Sequence, residues 1–352
     1  MRYKLLGKSG LRVSELCFGT MTFGEEWGWG ADKKECRKMF DAFVEAGGNF
    51  IDTANRYTEG TSEKFVGEFI KDIREQIVLA TKYTLYMKQG DPNSAGNHRK
   101  NMVQALNNSL QRLNTDYIDL YWVHAWDYMT PVEEVMRALD DMVRAGKVLY
   151  VGISDTPAWI VAEANTLAEL RGWTPFTALQ IEYSLLERSV ERELLPMARA
   201  FDMAVTPWGA IGGGVLTGKY SRTKKVTSAT KRYEVDAESP RLSDKSLTIA
   251  DEVVKIAGEI GCSPAQVSLN WVRNQPGLII PIIGARTVEQ LQQNLACLDY
   301  PLEQEHRERL NELSRIDLGF PHDFLDKEYI RNLVYAGTYD KIDNHRKYQK
   351  RG

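Results

Sequence analysis

The chain has 352 residues, of which 43% are hydrophobic and 26% charged, and its formal net charge is −3 at pH 7. This composition is typical of a globular protein with a sizeable core, and the charge argues against a general affinity for nucleic acid. The amino terminus has no apolar signal segment, and no apolar run approaches the roughly 18 residues that a membrane span needs. We therefore expect a cytoplasmic protein without nucleic-acid or membrane partners. The four dispersed cysteines lack a paired spacing, which predicts reduced packing residues and neither a metal nor a disulfide site: Cys17, Cys36, Cys262 and Cys297.

The first predicted element along the chain is a β-hairpin. Apolar segments at Tyr3–Leu6 and Leu11–Ser14 flank a glycine-containing turn, Gly7-Lys8-Ser9-Gly10. After the hairpin come eight apolar runs of the kind that form buried strands: Leu16–Gly19, Asn49–Asp52, Ile77–Thr81, Ile118–Val123, Val148–Ile153, Phe176–Ile181, Met203–Pro207 and Leu278–Ile283.

Helical patterns separate these runs. Apolar residues recur at i, i+3 and i+4 spacing in 36–44, 102–113 and 132–143, which predicts amphipathic helices. Three helix starts are marked by a capping hydroxyl before a proline at the first helical position: Thr130-Pro131, Thr156-Pro157 and Ser263-Pro264. Strand followed by helix, repeated in this way, predicts an α/β protein with a (β/α)8 TIM-barrel fold, in a single domain over residues 1–352.

The rival architecture is an open, doubly wound sheet. Such a sheet normally has a Gly-x-Gly-x-x-Gly turn after its first strand, and Gly19-Thr20-Met21 does not provide one. The barrel pattern is also interrupted once, between the seventh and eighth strands. Gly209–Ser246 is rich in small and polar residues there, which predicts a long loop that closes over a ligand. The segment Pro301–Gly352 contains several aromatic residues, and we expect it to fold back as a wall of the pocket.

Four polar residues stand at or just after the ends of the second, third and fourth predicted barrel strands: Asp52, Tyr57, Lys82 and His124. Barrel enzymes keep their chemistry at the carboxyl ends of the strands. Taken singly, each residue has a structural explanation, such as a buried Asp–Lys pair or a histidine that binds a core carbonyl group. Together they predict one site for proton transfer.

Tyrosine is a poor acid at pH 7 because its pKa is near 10. The Lys82 ammonium, if near the Tyr57 oxygen, favours the phenolate and lowers the pKa, and Asp52 would keep Lys82 protonated and oriented. His124 would supply a neutral N–H group or a second proton carrier. A tyrosine tuned in this way suits protonation of a carbonyl oxygen while hydride arrives at the carbonyl carbon.

These segments resemble those of the aldo-keto reductase superfamily, over essentially the whole chain. Asp52-Thr-Ala-Asn-Arg-Tyr57, Thr81-Lys82 and Tyr121-Trp-Val-His124 resemble the three catalytic segments of the family, in particular of its branches similar to aryl-alcohol dehydrogenases and to potassium-channel β subunits. The resemblance implies catalytic roles for the four residues named above. It also implies that a nicotinamide cofactor is held by a set of residues at the ends of later strands: Ser154, Asp155, Gln180 and Trp208. The family usually has asparagine where this chain has Asp155.

The resemblance extends to the phosphate groups of the cofactor. It implies an adenosine-phosphate site in which Arg286 meets the 2′-phosphate, favouring NADP(H), with NAD(H) possible. Gln290 has a second interpretation, because it stands three residues after Thr287 and would complete a capping box. The remaining contacts implied for the adenosine phosphate and the pyrophosphate are Gly284, Asn294, Gly212, Leu216 and Lys219.

A stretch within this region also fits the pattern Gly-x-x-x-x-Gly-Lys, at Gly213–Lys219. Tyr220 follows it in place of the Ser or Thr that would bind magnesium, so the pattern does not indicate a nucleotide triphosphatase. In the loop after the first strand, Trp27 and Trp29 are expected to contact an aromatic or apolar substrate.

The sequence therefore predicts an NADPH-dependent oxidoreductase that reversibly reduces an aldehyde or ketone, with Tyr57 as general acid. Its partner would be a small carbonyl or alcohol compound, and oligomerisation is possible. One alternative is a catalytically slow NADPH-binding regulatory or scaffold subunit similar to potassium-channel β subunits. Another is a barrel hydrolase or isomerase without a nicotinamide cofactor.

Overall fold

The computed structural model describes residues 1–220 and 242–344. The first two strands, β1 (Tyr3–Leu5) and β2 (Arg12–Ser14), pair antiparallel and confirm the predicted hairpin. Eight further strands form one parallel sheet in which the last strand returns to the first: β3 (Cys17–Gly19), β4 (Phe50–Asp52), β5 (Val78–Tyr83), β6 (Ile118–Val123), β7 (Val148–Ser154), β8 (Phe176–Glu182), β9 (Ala204–Trp208) and β10 (Ile282–Ile283).

Backbone contacts close this sheet into a barrel. β10 pairs with β3, and Val205 of β9 exchanges 2.8 Å hydrogen bonds with the Leu278 carbonyl and the Ile280 amide. The predicted (β/α)8 barrel is therefore confirmed. The predicted eighth strand, Leu278–Ile283, keeps regular strand geometry only at its end, where it meets β3; its first half joins β9 through these isolated hydrogen bonds.

The described ranges contain twelve α-helices, most of which surround the barrel: α1 (Lys33–Glu45), α2 (Thr61–Phe69), α3 (Arg99–Leu113), α4 (Val132–Arg144), α5 (Ala158–Arg171), α6 (Leu194–Ala200), α7 (Asp244–Ile260), α8 (Pro264–Arg273), α9 (Val288–Leu295), α10 (Gln304–Leu313), α11 (His322–Leu325) and α12 (Glu328–Val334). The three helices predicted from apolar spacing are present as α1, α3 and α4, and each buries the apolar face that predicted it. No helix in 1–220 or 242–344 combines the length and apolar character needed to cross a lipid bilayer.

Only one of the three predicted proline-marked helix starts forms as expected. Ser263 caps α8, and its side chain and that of Gln266 make a reciprocal capping box. At α4 and α5 the prolines themselves occupy the cap position in extended backbone, because a missing N–H group costs nothing there. The hydroxyls of Thr130 and Thr156 bind elsewhere, donating to the Asp127 carboxylate and the Ser154 carbonyl at 2.8 Å.

The hairpin closes the amino-terminal end of the barrel. Leu6 and Val13 pack with the side chains that fill the barrel interior, among them Phe50 and Trp122. The turn at Gly7 has a φ of 57°, and a Cβ atom there would lie 2.3 Å from a backbone oxygen of β8, so only glycine fits. Because the hairpin covers the amino-terminal end of the barrel, the carboxyl ends of the strands form its open face.

The predicted loop Gly209–Ser246 lies largely outside the described residues, because 221–241 are not described. Its first part forms a 3-10 turn, Gly212–Thr217. Its predicted end is too late, because α7 begins at Asp244 with Ser243 as its capping residue. Polar composition predicted a loop there, but the serine at the cap marks the start of a helix.

Candidate active site

A cavity of about 380 Å³ lies at the carboxyl ends of the barrel strands. Its lining contains most of the predicted site residues, together with several that the sequence did not single out: Gly19, Met21, Thr22, Trp27, Asp52, Arg56, Tyr57, Leu85, His124, Ser154, Asp155, Gln180, Trp208, Gly209, Ala210, Ile211, Gly213, Leu269, Ile282, Ile283, Gly284 and Asn294. This volume is in the range of small-molecule sites, which occur at this face of TIM barrels.

Lys82 lies beneath the floor of the pocket and is fully buried. Its Nζ atom donates to Asp52 Oδ2 at 2.5 Å, to the Thr53 carbonyl oxygen at 2.9 Å and to Tyr57 Oη at 3.1 Å. An ammonium group has three donors, so this set satisfies it completely and fixes its position. The strand ends of β4 and β5 therefore place the cation against both predicted partners.

Gln180 takes part in the same network. Its Nε2 atom donates to Asp52 Oδ1 at 3.2 Å, so Lys82 of β5 and Gln180 of β8 each bind one of the two carboxylate oxygens. The sequence assigned Gln180 to the nicotinamide site by resemblance. The structure places it in the pocket lining and also makes it a support for Asp52.

Tyr57 follows β4 in a 3-10 turn whose next two residues, Thr58 and Glu59, have positive φ angles of 46° and 55°. The tyrosine ring lies with its centroid 4.7 Å from Lys82 Nζ and 6.0 Å from the His124 ring, nearly perpendicular to the latter. The tight turn therefore brings the hydroxyl between a buried cation and a histidine at the pocket surface.

Burial raises the pKa of Tyr57 above its ordinary value, and the nearby Lys82 cation only partly opposes this shift. Lys82 lowers the pKa of Tyr57 as the sequence predicted, but its contribution is smaller than the cost of removing a phenolate from water, so the net shift is upward. Tyr57 consequently keeps its proton at neutral pH, which is the form a general acid needs.

Lys82 has the protonation state that the sequence predicted, and His124 has the first of the two states that the sequence left open. Burial lowers the pKa of Lys82, but attraction to Asp52 and Tyr57 together raises that pKa by more. The pKa of Lys82 is therefore above its ordinary value. Burial and the Lys82 cation hold the pKa of His124 well below 6.5. Lys82 is therefore charged and His124 neutral, and the buried His124 Nδ1 atom has no hydrogen-bond partner in the described residues.

Ser154, Asp155 and Trp208 form the side of the pocket next to this network. Trp208 Nε1 donates to Asp155 Oδ1 at 3.2 Å, which ties the end of β9 to the turn after β7. Burial raises the pKa of Asp155, and the nearby Ser154 hydroxyl is among the groups that oppose this shift. The hydroxyl is buried without a hydrogen-bond partner among the described residues. That hydroxyl is free to bind a polar group of a ligand.

The predicted phosphate site at the start of α9 differs from expectation. The Val288 and Gln290 amides donate to the Glu35 carboxylate at 2.8 Å and to the Thr287 hydroxyl at 3.3 Å. Gln290 Oε1 accepts from the Arg286 amide at 3.0 Å, one residue before the position of a capping box. These amides are thus not exposed for a phosphate.

The Arg286 guanidinium remains available. Within 1–220 and 242–344 it makes no hydrogen bond or ion pair, and it is partly exposed. A fork of unpaired N–H donors fits a phosphate group without rearrangement. Gly284 and Asn294 line the pocket between Arg286 and the strand ends, with Asn294 Nδ2 bound to the Gly284 carbonyl at 3.1 Å. The residues present therefore fit a phosphorylated nicotinamide dinucleotide.

The glycine-rich turn contributes in a different way from the prediction. Gly213, with a φ of 65°, lines the pocket, whereas Gly212 does not. Leu216 is fully buried in the core and Lys219 is exposed outside the lining. Leu216 is apolar and turns inward, so it anchors the turn rather than contacting the pocket.

The two predicted substrate residues have separate places. Trp27 lines the pocket, and its ring lies 6.5 Å from Tyr57. Trp29 does not line the pocket but packs against Trp27 at 5.6 Å. Arg56 was missed, although it directly precedes Tyr57: it lines the pocket with its guanidinium 4.5 Å from the centroid of the Tyr86 ring.

The described part of the C-terminal segment, 301–344, contributes no residue to this lining, so the expected wall is wrong for these residues. α10 packs instead on α7, where Arg309 bridges Glu252 and Glu259, and the aromatic rings of Phe320 and Tyr329 are exposed. Aromatic content predicted a pocket wall, but the salt bridges hold the segment against the outer helices. The last part, 345–352, lies outside the described residues.

Two further findings concern the cysteines and possible metal ligands. All four cysteines are free thiols. In the part of the chain that the structure describes, no three or more His, Cys, Asp or Glu side chains are grouped so as to hold a metal ion.

A closed parallel barrel with an acid–base site at the carboxyl ends of its strands defines a barrel enzyme, and comparison with known proteins is more specific. The model of the aldo/keto reductase family matches residues 15–315. Norsolorinic acid reductase of Aspergillus flavus is 40% identical over 333 residues, covering 91% of this chain and 83% of that protein. Aryl-alcohol dehydrogenase (NADP+) of Phanerodontia chrysosporium is 37% identical over 350 residues, covering 94% and 91%.

A putative aryl-alcohol dehydrogenase of Saccharomyces cerevisiae is similar at 38% identity, covering 91% of this chain and 88% of the relative. The chain belongs to the aldo/keto reductase family. It is an oxidoreductase that acts on small carbonyl and alcohol compounds.

Proposed function

We propose that this enzyme reversibly reduces aromatic aldehydes or ketones with NADPH, and that Tyr57 is the general acid. The observation that supports this most strongly is the buried Lys82 ammonium, which is hydrogen-bonded at once to the Asp52 carboxylate and to the Tyr57 hydroxyl at the pocket surface. That arrangement provides a proton donor and a means of stabilising the anion that the donor leaves behind.

The roles of the residues follow from their positions. When bound, NADPH supplies the hydride. Tyr57 Oη donates its proton to the carbonyl oxygen, and the phenolate that results stays 3.1 Å from Lys82 Nζ. Asp52 keeps Lys82 charged and in place, while neutral His124 donates an N–H hydrogen bond that orients the carbonyl oxygen. A positioned proton transfer of this kind contributes roughly 100- to 10,000-fold to the rate.

The choice of NADPH rests on Arg286, whose guanidinium has no acceptor among the described residues and suits a 2′-phosphate. The name of the Phanerodontia relative includes NADP+, which supports the same choice. Ser154, Gln180, Trp208 and Asn294 in the pocket lining would hold the rest of the cofactor.

The aromatic character of the substrate rests on the pocket wall. The apolar surfaces of Trp27, Met21 and Leu85 face the cavity near Tyr57. Two of the relatives are named for aryl alcohols and one for norsolorinic acid. The cytoplasmic location, the single-domain organisation and oligomerisation stay predictions.

The test of the acid is Tyr57→Phe, measured with an aromatic aldehyde and NADPH. We expect the turnover rate to fall by roughly 100-fold or more, because the ring is retained and only the proton donor is lost. NADPH affinity should stay within a few fold of the wild type. Tyr329→Phe is the matched control, because Tyr329 is exposed on the C-terminal segment and does not line the pocket. Undiminished turnover in Tyr57→Phe would contradict the proposal.

The test of the cofactor is a panel of aldehydes and alcohols measured with NADPH and with NADH. Arg286→Gln should weaken NADPH binding and leave NADH binding nearly unchanged, because the two cofactors differ only in the 2′-phosphate. Equal effects on both cofactors would contradict the assignment of Arg286. Tight NADPH binding with negligible turnover of every substrate would instead favour the regulatory subunit.

A further inference from the structure

Asp155 is the pocket residue whose place in the proposed reaction is least explained. It follows the last residue of β7 with a φ of 41°, and it lines the pocket together with Tyr57 and Trp208. Its Oδ1 atom accepts the Trp208 indole N–H at 3.2 Å. The carboxyl group is therefore held on the pocket wall by a neutral donor.

Asp155 differs from the other acidic and basic residues of the pocket lining in its ion-pair partners. Three lining residues in the described ranges have a carboxyl or guanidinium group: Asp52, Arg56 and Asp155. Asp52 forms an ion pair with Lys82, and Arg56 forms one with Glu59. Asp155 has no cation within ion-pair distance among the described residues. Burial raises its pKa, while the Trp208 hydrogen bond and the Lys82 charge oppose that shift. Among the residues that the structure describes, the Asp155 carboxyl group is thus the one in the pocket lining without an ion-pair partner.

The two forms of the proposed cofactor differ by one positive charge. In carbonyl reduction the hydride leaves the neutral dihydronicotinamide ring with both electrons of its C–H bond and forms the new C–H bond of the alcohol. The ring becomes a cation, and the carbonyl oxygen receives the Tyr57 proton. A carboxylate in the same pocket interacts favourably with the cationic ring and has no net charge interaction with the neutral one.

We propose that the Asp155 carboxylate, which has no ion-pair partner among the described residues, strengthens binding of the oxidised cofactor relative to the reduced one. This difference in affinity favours departure of the hydride. This inference rests on the proposed function, because it requires a nicotinamide cofactor in the pocket. Asparagine at this position would present an oxygen to the Trp208 N–H group without the charge.

The size of the effect follows from Coulomb's law. At an effective dielectric constant of about 20, unit charges about 12 Å apart already change a binding constant by about 10-fold, and a closer approach gives more. Asp155→Asn should therefore raise the ratio of the NADP+ dissociation constant to the NADPH dissociation constant by about 10-fold or more. The variant should fold, because asparagine tolerates positive φ angles and retains the acceptor for Trp208.

The experiment is calorimetric titration of wild type and variants with NADP+ and, separately, with NADPH. Glu25→Gln is the control for net charge, because Glu25 is an exposed carboxylate in the loop after β3 that does not line the pocket. A raised ratio in Asp155→Asn with an unchanged ratio in Glu25→Gln is the expected result. Salt up to about 1 M should not abolish the difference, since exposed charges are screened far more than buried ones.

An unchanged ratio in Asp155→Asn, or equal weakening of both cofactor forms, would overturn the inference and leave Asp155 as a hydrogen-bond acceptor for Trp208. An equal change in Glu25→Gln would also overturn it, because the effect would then belong to net charge. Failure of the wild type to bind either form would be a different result: it would overturn the proposed function, and this inference with it.

Discussion

Replacement of Lys82 by methionine tests the energetics of the buried network most directly. Methionine has a similar length and is apolar, so it fills the space of the lysine side chain but removes the charge. The side chains of Lys82 and Asp52 are 0% and 3% exposed, so neither charge is solvated in the folded protein. In the variant the Asp52 carboxylate keeps only the Gln180 amide as a side-chain donor in the described residues, at 3.2 Å.

Loss of one partner from a buried ion pair typically costs about 3–5 kcal/mol, because the other charge stays buried without compensation. We expect this loss for Lys82→Met at pH 7. The cost disappears when the carboxylate takes up a proton, so it should diminish as the pH falls toward about 4, where unfolded aspartate titrates, with a slope of up to about 1.4 kcal/mol per pH unit. In Asp52→Asn/Lys82→Met the loss should be smaller and independent of pH.

The assay is urea unfolding of the wild type, Lys82→Met and the double variant, followed by circular dichroism at pH 5 and pH 7. The expected result is a midpoint for Lys82→Met that recovers at the lower pH relative to the wild type, and a double variant that is more stable than Lys82→Met at pH 7. Identical losses at both pH values, or a double variant that is less stable than either single variant, would refute the picture of a buried charge pair.

Two other predictions concern stability. Burial and Lys82 hold the pKa of His124 well below 6.5 in the folded protein. Below pH 6.5 the unfolded state therefore binds a proton at this histidine and the folded state does not, so the free energy of unfolding decreases as the pH falls. His124→Gln should remove that dependence, about 1.4 kcal/mol one pH unit below 6.5, and urea midpoints that move in parallel with pH would contradict it. Gly152→Ala would place a Cβ atom 2.4 Å from the buried Trp122 ring and should cost about 1–3 kcal/mol in thermal unfolding. Gly258→Ala is the control, because a Cβ atom added at Gly258 in α7 would have no neighbouring atom within 4 Å. This variant should stabilise the folded protein by about 0.5–1 kcal/mol, and similar effects at the two glycines would contradict the packing of β6 against β7.

Much of the fold was predictable because burial imposes a periodic pattern on the chain. β5 and β6 are buried along their whole lengths, and most of their residues are apolar, as is typical of the buried strands of a parallel sheet. The ends of those strands placed Lys82 and His124 at the open face of the barrel. Asp52 at the end of β4 followed in the same way, and so the main part of the candidate network could be predicted from strand ends alone.

Contacts between distant parts of the chain were not predictable in this way. Gln180 supports Asp52 across 128 residues of sequence, and Glu35 of α1 occupies an amide at the start of α9, where a phosphate site was expected. The pattern around each residue contains no information about such a partner, because the partner is brought there by the packing of other helices and strands. The separate places of Trp27 and Trp29 were decided by the same packing.

The barrel, its open face and the residue types at that face could be predicted from the sequence, because they depend on local apolar patterns and on the right-handed succession of strand and helix. The direction of the Tyr57 pKa shift required the folded structure, because it depends on whether burial or the Lys82 cation contributes more. The Asp155 hydrogen bond with Trp208, and the lack of an ion-pair partner for Asp155 within 1–220 and 242–344, were likewise visible only in the structure. Charge balance is a property of the assembled pocket, because it depends on every group that packing brings within reach.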